Sequence, residues 1–185
     1  MSAYYYLISQ LPYLTYGQKP PMSSDSFVEF ACTKMSKTDS ALLSYCTLGS
    51  KAEAVKPTPS KFINEWQRWE KELTLNLAQA RASKRGRSVN YEISREFYNA
   101  ETQAKTAIAM DNPLEAEIYL DQGRWQAIER FQGVNYFDVS VVYAYLLKLR
   151  LVERRARQDV DEGFEEYQTL YGSIMEDAPQ VSAGR

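Results

Sequence analysis

Apolar residues recur at Phe62, Trp66, Trp69, Leu73, Leu77 and Ala80, in steps of four, three, four, four and three. That spacing keeps one face of a 3.6-residue helix apolar, while Glu65, Arg68, Lys71 and Gln79 fall on its other faces. Thr58 before Pro59 predicts an N-cap and first helical position, because the N–H that proline lacks has no partner there anyway. Gly86 predicts a left-handed stop. From Pro59 to Arg85 such a helix spans about 40 Å at about 1.5 Å per residue.

The same reading places six or seven helices along the chain. Residues 4–14 are dense in Tyr, Leu and Ile, and their periodicity fits a strand or a buried turn of helix equally well. Ser24 predicts the N-cap of a helix carrying Phe27, Phe30, Ala31 and Met35. Ser36 with Asp39 resembles a capping box for a short helix that turns Leu42, Leu43 and Cys46 inward before Gly49. Residues 49–60, broken by Pro57 and Pro59, form the linker, and residues 87–96 read as extended chain or loop. A helix resumes by Phe97 and runs to about Ala109.

Asn112, Pro113 and Glu115 combine a cap, a first-position proline and a returning carboxylate. The helix they open carries Leu114, Ile118, Trp125, Ile128 and Phe131, with Gly123 a candidate bend and Gly133 its stop. Asp138 caps a helix to about Arg157 with Val142, Leu146, Leu149 and Val152 in one stripe. Asp159 with Glu162 opens a last one, carrying Phe164, Tyr167, Leu170, Ile174 and Met175. The expected fold is all-α: an antiparallel, bundle-like body with short loops and a short N-terminal aromatic segment. It forms one domain over residues 1–185: segment 1–48 with two short helices, linker 49–60, main body 61–176 and frayed tail 177–185.

Composition mostly removes function classes. Histidine is absent, which takes away the commonest acid–base group near neutral pH and the commonest metal ligand. Cys32 and Cys46 are too few for a disulfide scaffold or a four-ligand zinc site, and read as buried thiols of a reducing compartment. The glycines are scattered as stops and bends, without the close spacing that converges backbone N–H groups on a phosphate, which argues against a nucleotide site. A formal net charge of -2 without a recognition module argues against nucleic acid. No basic leader and no apolar run of about 20 residues is present, so a cytoplasmic protein without direct membrane insertion is expected. No catalytic, cofactor-binding or metal-ligating residue is assigned, and no cofactor is expected.

What remains are structural and interface candidates. Fourteen tyrosines exceed the need of one small core; Tyr4, Tyr5 and Tyr6 crowd the N-terminus, where an apolar ring with a polar tip suits a wet interface. Trp66 and Trp69 lie mid-stripe and read as core, with interface anchors the alternative. Arg124-Trp125 fits an interface anchor or core equally; with Trp125 facing the core, Arg124 would form a semi-buried pair with Glu117 or Asp121. Two basic clusters, Arg81/Lys84/Arg85/Arg87 and Lys148/Arg150/Arg154/Arg155/Arg157, fit solvated helix C-termini or an acidic partner surface. The acidic group Asp159, Asp161, Glu162, Glu165 and Glu166 reads as a helix start.

Four blocks, YYYLISQLPYLTYGQKPP, WEKELTLNLAQARASKRG, NPLEAEIYLDQGRW and YFDVSVVYAYLLKLRLVERRARQDVDEG, occur in that order over nearly the whole chain. In this they resemble a bacterial family encoded beside V/A-type rotary ATPase subunits. Some of the helical text is also similar to the all-helical C-type component of those ATPases, the d-type in eukaryotes. The resemblance implies a non-catalytic subunit or assembly factor with ATPase subunits as partners, held peripherally at the membrane. A full C-type component has three similar helical units, and this chain is about half as long, which leaves a reduced equivalent or a separate factor. The resemblance carries over no catalytic residue. Two alternatives stay open: a small helical enzyme or ligand-binding protein, and a free-standing interaction scaffold. Oligomeric state is left open.

Overall fold

The computed structural model describes residues 4–49, 57–134 and 136–157. They form seven α-helices and no strand: α1 (Tyr5–Ser9), α2 (Ser24–Lys34), α3 (Lys37–Leu42) with a 3-10 turn at Leu43–Tyr45, α4 (Lys61–Lys84), α5 (Tyr98–Ala109), α6 (Pro113–Gln132) and α7 (Val139–Ala156). The all-α expectation holds, and in the ambiguous N-terminal segment Tyr5–Ser9 is a short helix and residues 10–14 are irregular. The last expected helix, its acidic start, most of the linker and the tail lie outside the described residues.

Local chemistry sets the helix starts. Ser36 accepts from Asp39 N at 3.1 Å, and Asn112 accepts from Leu114 N at 3.0 Å ahead of Pro113. Asp138 accepts from Val139 N at 2.7 Å. Two caps fall one or two residues from the expected place. Ser23, not Ser24, accepts from Ser26 N. Ser60, not Thr58, caps α4, because Thr58 is taken up by Asn64, whose side chain accepts from Thr58 N at 2.8 Å and donates to Thr58 O at 2.7 Å.

The α4 stripe packs as its spacing dictates: Phe62, Trp66, Trp69, Leu73 and Leu77 are buried. Ala80 is only half-buried, and Ile63, Glu70 and Glu72 join the buried face. The Trp66 and Trp69 rings stack at 5.6 Å, and Trp66 Nε1 donates to Thr47 O at 3.1 Å. Both tryptophans are therefore core.

α7 departs from a single stripe. Tyr143, Ala144, Leu147 and Leu151 are as buried as Val142, Leu146 and Leu149. A helix with apolar residues buried around most of its circumference belongs at the centre, with Lys148, Arg150 and Arg154 reaching partners at its margin. α6 packs along one side of it, and α2 crosses another with Phe27 against Tyr145 at 4.9 Å.

Helix directions follow from the cross-links. Arg124 of α6 meets Glu70 in the first half of α4, and Glu117 faces Arg81 near the end of α4, so these two are antiparallel. Lys148–Glu129 and Arg154–Glu117 make α6 and α7 antiparallel as well. α4 and α5 depart from the expected antiparallel arrangement of neighbours: they run parallel. Glu72 sits at the N-terminus of α5, while Lys84, the last residue of α4, donates to Ile108 O near the end of α5. Residues 85–97 therefore return along α4.

Glu72 fixes that return. Its buried carboxylate accepts from Ser94 Oγ at 2.7 Å, Glu96 N at 3.1 Å and Phe97 N at 3.1 Å. α5 has no cap of its own from Phe97, so a carboxylate from α4 takes the cap's place and sits where the helix dipole favours negative charge. α6 runs through Gly123 as one helix, so the glycine is no break. A Cβ there would lie 2.5 Å from the Gln103 side-chain oxygen, and the glycine makes room for α5.

The interior holds several groups in their neutral form. Burial pushes the Cys46 thiol up to about 12, against a lowering by Arg150. Burial also pushes Tyr145 up to about 12 and raises Tyr143, the latter helped by Asp39. In the unfolded chain these groups lose protons from about pH 9 to 10. The native state then binds more protons than the unfolded state, so stability is whole below about pH 9 and falls as pH rises toward 12. The unfolding free energy from urea titrations at successive pH values should drop at up to about 1.4 kcal/mol per pH unit for each retained proton, less steeply in Cys46→Ala. A flat profile from pH 8 to 11 would contradict this. Cys32, expected to be buried, is exposed.

Candidate functional site

Glu117, Asp121 and Arg124 follow one another at i, i+4 and i+7 along α6 and share a face. Asp121 and Arg124 lie deep, with 0% and 6% of their surface exposed. Arg124 donates through Nε and Nη2 to Glu70 Oε1, each at 3.1 Å, and through Nη1 to Asp121 Oδ1 at 2.9 Å. Glu70 also accepts from Gly49 N at 3.2 Å. From α7, Arg154 bonds Glu117 and reaches within 3.6 Å of Asp121 Oδ2, while Arg81 stands 4.0 Å from Glu117. Three arginines and three carboxylates thus tie α4, α6 and α7 together.

The expected Arg124–Asp121 pair is present; Glu117 instead serves Arg154. Glu70 was placed by no sequence signal, although its position one residue past Trp69 puts it beside the core stripe. The expected α6 face is rotated: Leu120, Asp121, Arg124, Ala127 and Ile128 are buried, while Leu114, Ile118, Trp125 and Phe131 are half-buried. Arg124 turns inward because two carboxylates await it. Trp125 takes the rim, under Lys148 Nζ at 4.8 Å and edge-on to Tyr16 at 5.7 Å.

Electrostatically the carboxylates are matched by arginines, although the buried Asp121 Oδ2 has no hydrogen-bond partner among the described residues and faces Arg154 Nε at 3.6 Å. Burial raises the Asp121 carboxyl above its ordinary value, against the pull of Arg154 and Arg124. Burial disfavours the Arg124 charge, yet Glu70 and Asp121 outweigh it and hold the guanidinium above the ordinary arginine value. Each carboxylate faces at least one arginine, an arrangement suited to fixing helix positions. Among the described residues no group of three or more His, Cys, Asp or Glu could hold a metal ion.

The outer candidate lies where α1 meets the α6–α7 connection. Tyr4 N donates to Phe137 O at 3.1 Å; its hydroxyl donates to Asp39 and accepts from Ser36 N at 3.1 Å. Leu7 is buried beneath. With α1 clasped in this way, Tyr5 and Tyr6 face outward, 60% and 67% exposed, and the Tyr5 ring lies 4.6 Å from Phe137. Val134 and Tyr136, at 83% and 70%, also stand exposed on the α6–α7 connection. The three tyrosines that the sequence groups together thus divide into one clasp and two surface rings.

The second basic cluster is largely consumed within the fold. Lys148 pairs with Glu129 at 3.0 Å, Arg150 donates to Cys46 O and Arg154 to Glu117, while Arg155 is half-buried with Nη1 unpartnered among the described residues. Among the described residues, two of the clefts open to solvent lie against α4. One of about 610 Å³ lies between α4 and α5, lined by Asn76, Gln79, Ser83, Lys84, Glu101 and Lys105 among others. One of about 320 Å³ lies under the 85–97 connection. Among the described residues no helix is long and apolar enough to cross a membrane.

No curated protein and no solved structure matches the chain. Residues 84–178, just over half of its length, match the family model described as Protein of unknown function (DUF2764), and the chain belongs to that family.

Proposed function

We propose that this protein is a non-catalytic subunit or assembly factor of a bacterial V/A-type rotary ATPase, either a reduced equivalent of the C-type stalk component or a separate factor. It works by the shape and surface of its helices, with no cofactor of its own. The observation that carries the reading is the location of the blocks resembling the ATPase-associated family. YYYLISQLP supplies the exposed Tyr5 and Tyr6, NPLEAEIYLDQGRW supplies the α6 side of the buried network, and the last block supplies Phe137 and Arg154. A cross-braced helical body with an exposed aromatic patch can hold or transmit force between subunits, since aromatic residues anchor interfaces.

Tagged at native level and purified under mild conditions, the protein should bring down ATPase A, B and D subunits. Recovery of none of them would overturn the proposal. In a Tyr6→Ser/Tyr136→Ser double variant, recovery should fall by about tenfold or more with the melting temperature unchanged, because both rings are exposed.

A small ligand-binding protein is the second reading, favoured by the 610 Å³ cleft, whose size suits a small molecule. Against it, Cys46, Asp121, Arg124, Tyr143 and Tyr145, whose ionisation is shifted, line neither cleft.

A further inference from the structure

The connection from α4 to α5 is longer than its path demands. Returning from Lys84 to the level of Glu72 covers twelve residues of helix, about 18 Å at about 1.5 Å per residue. About six extended residues would cover that at about 3.3 Å each, plus a turn at Gly86, where φ is +69°. The chain uses residues 85–97. Surplus connection in a helical body is uncommon and tends to serve recognition.

The surplus forms an arch that is fixed on its inner side and bare on its outer side. Inside, Glu72 holds Ser94, Glu96 and Phe97, and Arg68 Nη1 reaches both Glu96 oxygens at 2.9 and 3.1 Å. Arg95 is carried at φ +55°, a left-handed conformation that L side chains rarely adopt and that a loop keeps only when its surroundings impose it. Outside, Arg85, Arg87, Val89, Tyr91 and Arg95 are all exposed, and none of the three arginine side chains makes a hydrogen bond or ion pair among the described residues. Glu96 is neutralised by Arg68 and Glu72 faces inward, so the carboxylates that oppose the three arginines are Glu92 on the arch and Glu101 of α5, whose charge is felt by Arg95. The stretch matched to the family begins at Lys84 and so contains the whole arch.

We propose that this arch docks an acidic protein surface, with Arg87 and Arg95 pairing with carboxylates around the Tyr91 ring. Arginine and tyrosine lead the residue types that anchor interfaces, and an arch tied at both ends, by Arg87 N on Ala82 O and by Glu72 at Ser94, Glu96 and Phe97, loses less entropy on binding than a free segment. A protein partner fits better than nucleic acid, because the whole chain is formally -2 and Glu92 stands within the basic row. The inference goes beyond the ATPase reading, since it names a face and its chemistry whichever complex supplies the partner.

Photo-crosslinking the full chain in cells tests it, with the photoreactive amino acid at position 91 and, as a control, at the 91% exposed Tyr13. The expected result is a position-91 adduct to peptides of one protein rich in Asp and Glu, absent from position 13. Its yield should fall by about tenfold or more in Arg87→Glu/Arg95→Glu, through like-charge repulsion, at an unchanged melting temperature. No adduct at 91, an adduct to nucleic acid, or an adduct unmoved by charge reversal would overturn the proposal. An acidic partner other than an ATPase subunit would leave the arch standing and remove the ATPase reading. ATPase co-purification without a position-91 adduct would do the reverse.

Discussion

Replacing Arg124 with methionine should lower the unfolding free energy by about 3–5 kcal/mol, the cost of leaving partner charges buried and alone. Glu70 and Asp121 are 2% and 0% exposed, so water cannot take over the bonds that the guanidinium provides. The loss reflects abandonment more than the worth of the pair. A triple variant, Glu70→Leu/Asp121→Leu/Arg124→Leu, removes all three charges together and should recover most of the lost stability. Urea unfolding of both variants and the parent measures this. A single variant within about 1 kcal/mol of the parent would show that the network does not hold α4 against α6.

Replacing Glu72 with alanine comes next in size, about 2–3 kcal/mol, because a charged acceptor serving three donors is removed. Glutamine keeps one acceptor oxygen but turns an NH2 group toward a donor, and should recover less than half. The damage should be local. Hydrogen exchange at the Glu96 and Phe97 amides should accelerate strongly while that of Leu146 and Leu149, deep in α7, changes much less. Uniform acceleration through both regions would mean that Glu72 acts globally and not as the clamp of one connection.

The helices were legible because their signals are local. Ser36 with Asp39, Asn112 with Pro113, and Asp138 each start a helix where the sequence places it, and the Phe62–Leu77 stripe is buried as its period requires. What the sequence hides depends on partners distant along the chain. Glu70 and Arg124 are 54 residues apart, and no periodicity shows that two charged side chains will meet inside. The rotation of α6 follows from that pair, since a hydrophobic stripe ranks Trp125 above Arg124 for burial. The parallel course of α4 and α5 was hidden for a related reason. The return along α4 is set by Glu72 on an otherwise polar helix face, and a loop reads the same whichever way it runs.

The N-terminal residues are sealed to α7 across long stretches of chain: Tyr143 to Asp39 and Arg150 to Cys46, each at a separation of 104. During synthesis Asp39 and Cys46 leave the ribosome 104 residues ahead of their partners on α7, the helix that covers this segment. Phe27, Ala31 and Leu43 must wait for it, so the packing of this segment is completed only once α7 is available.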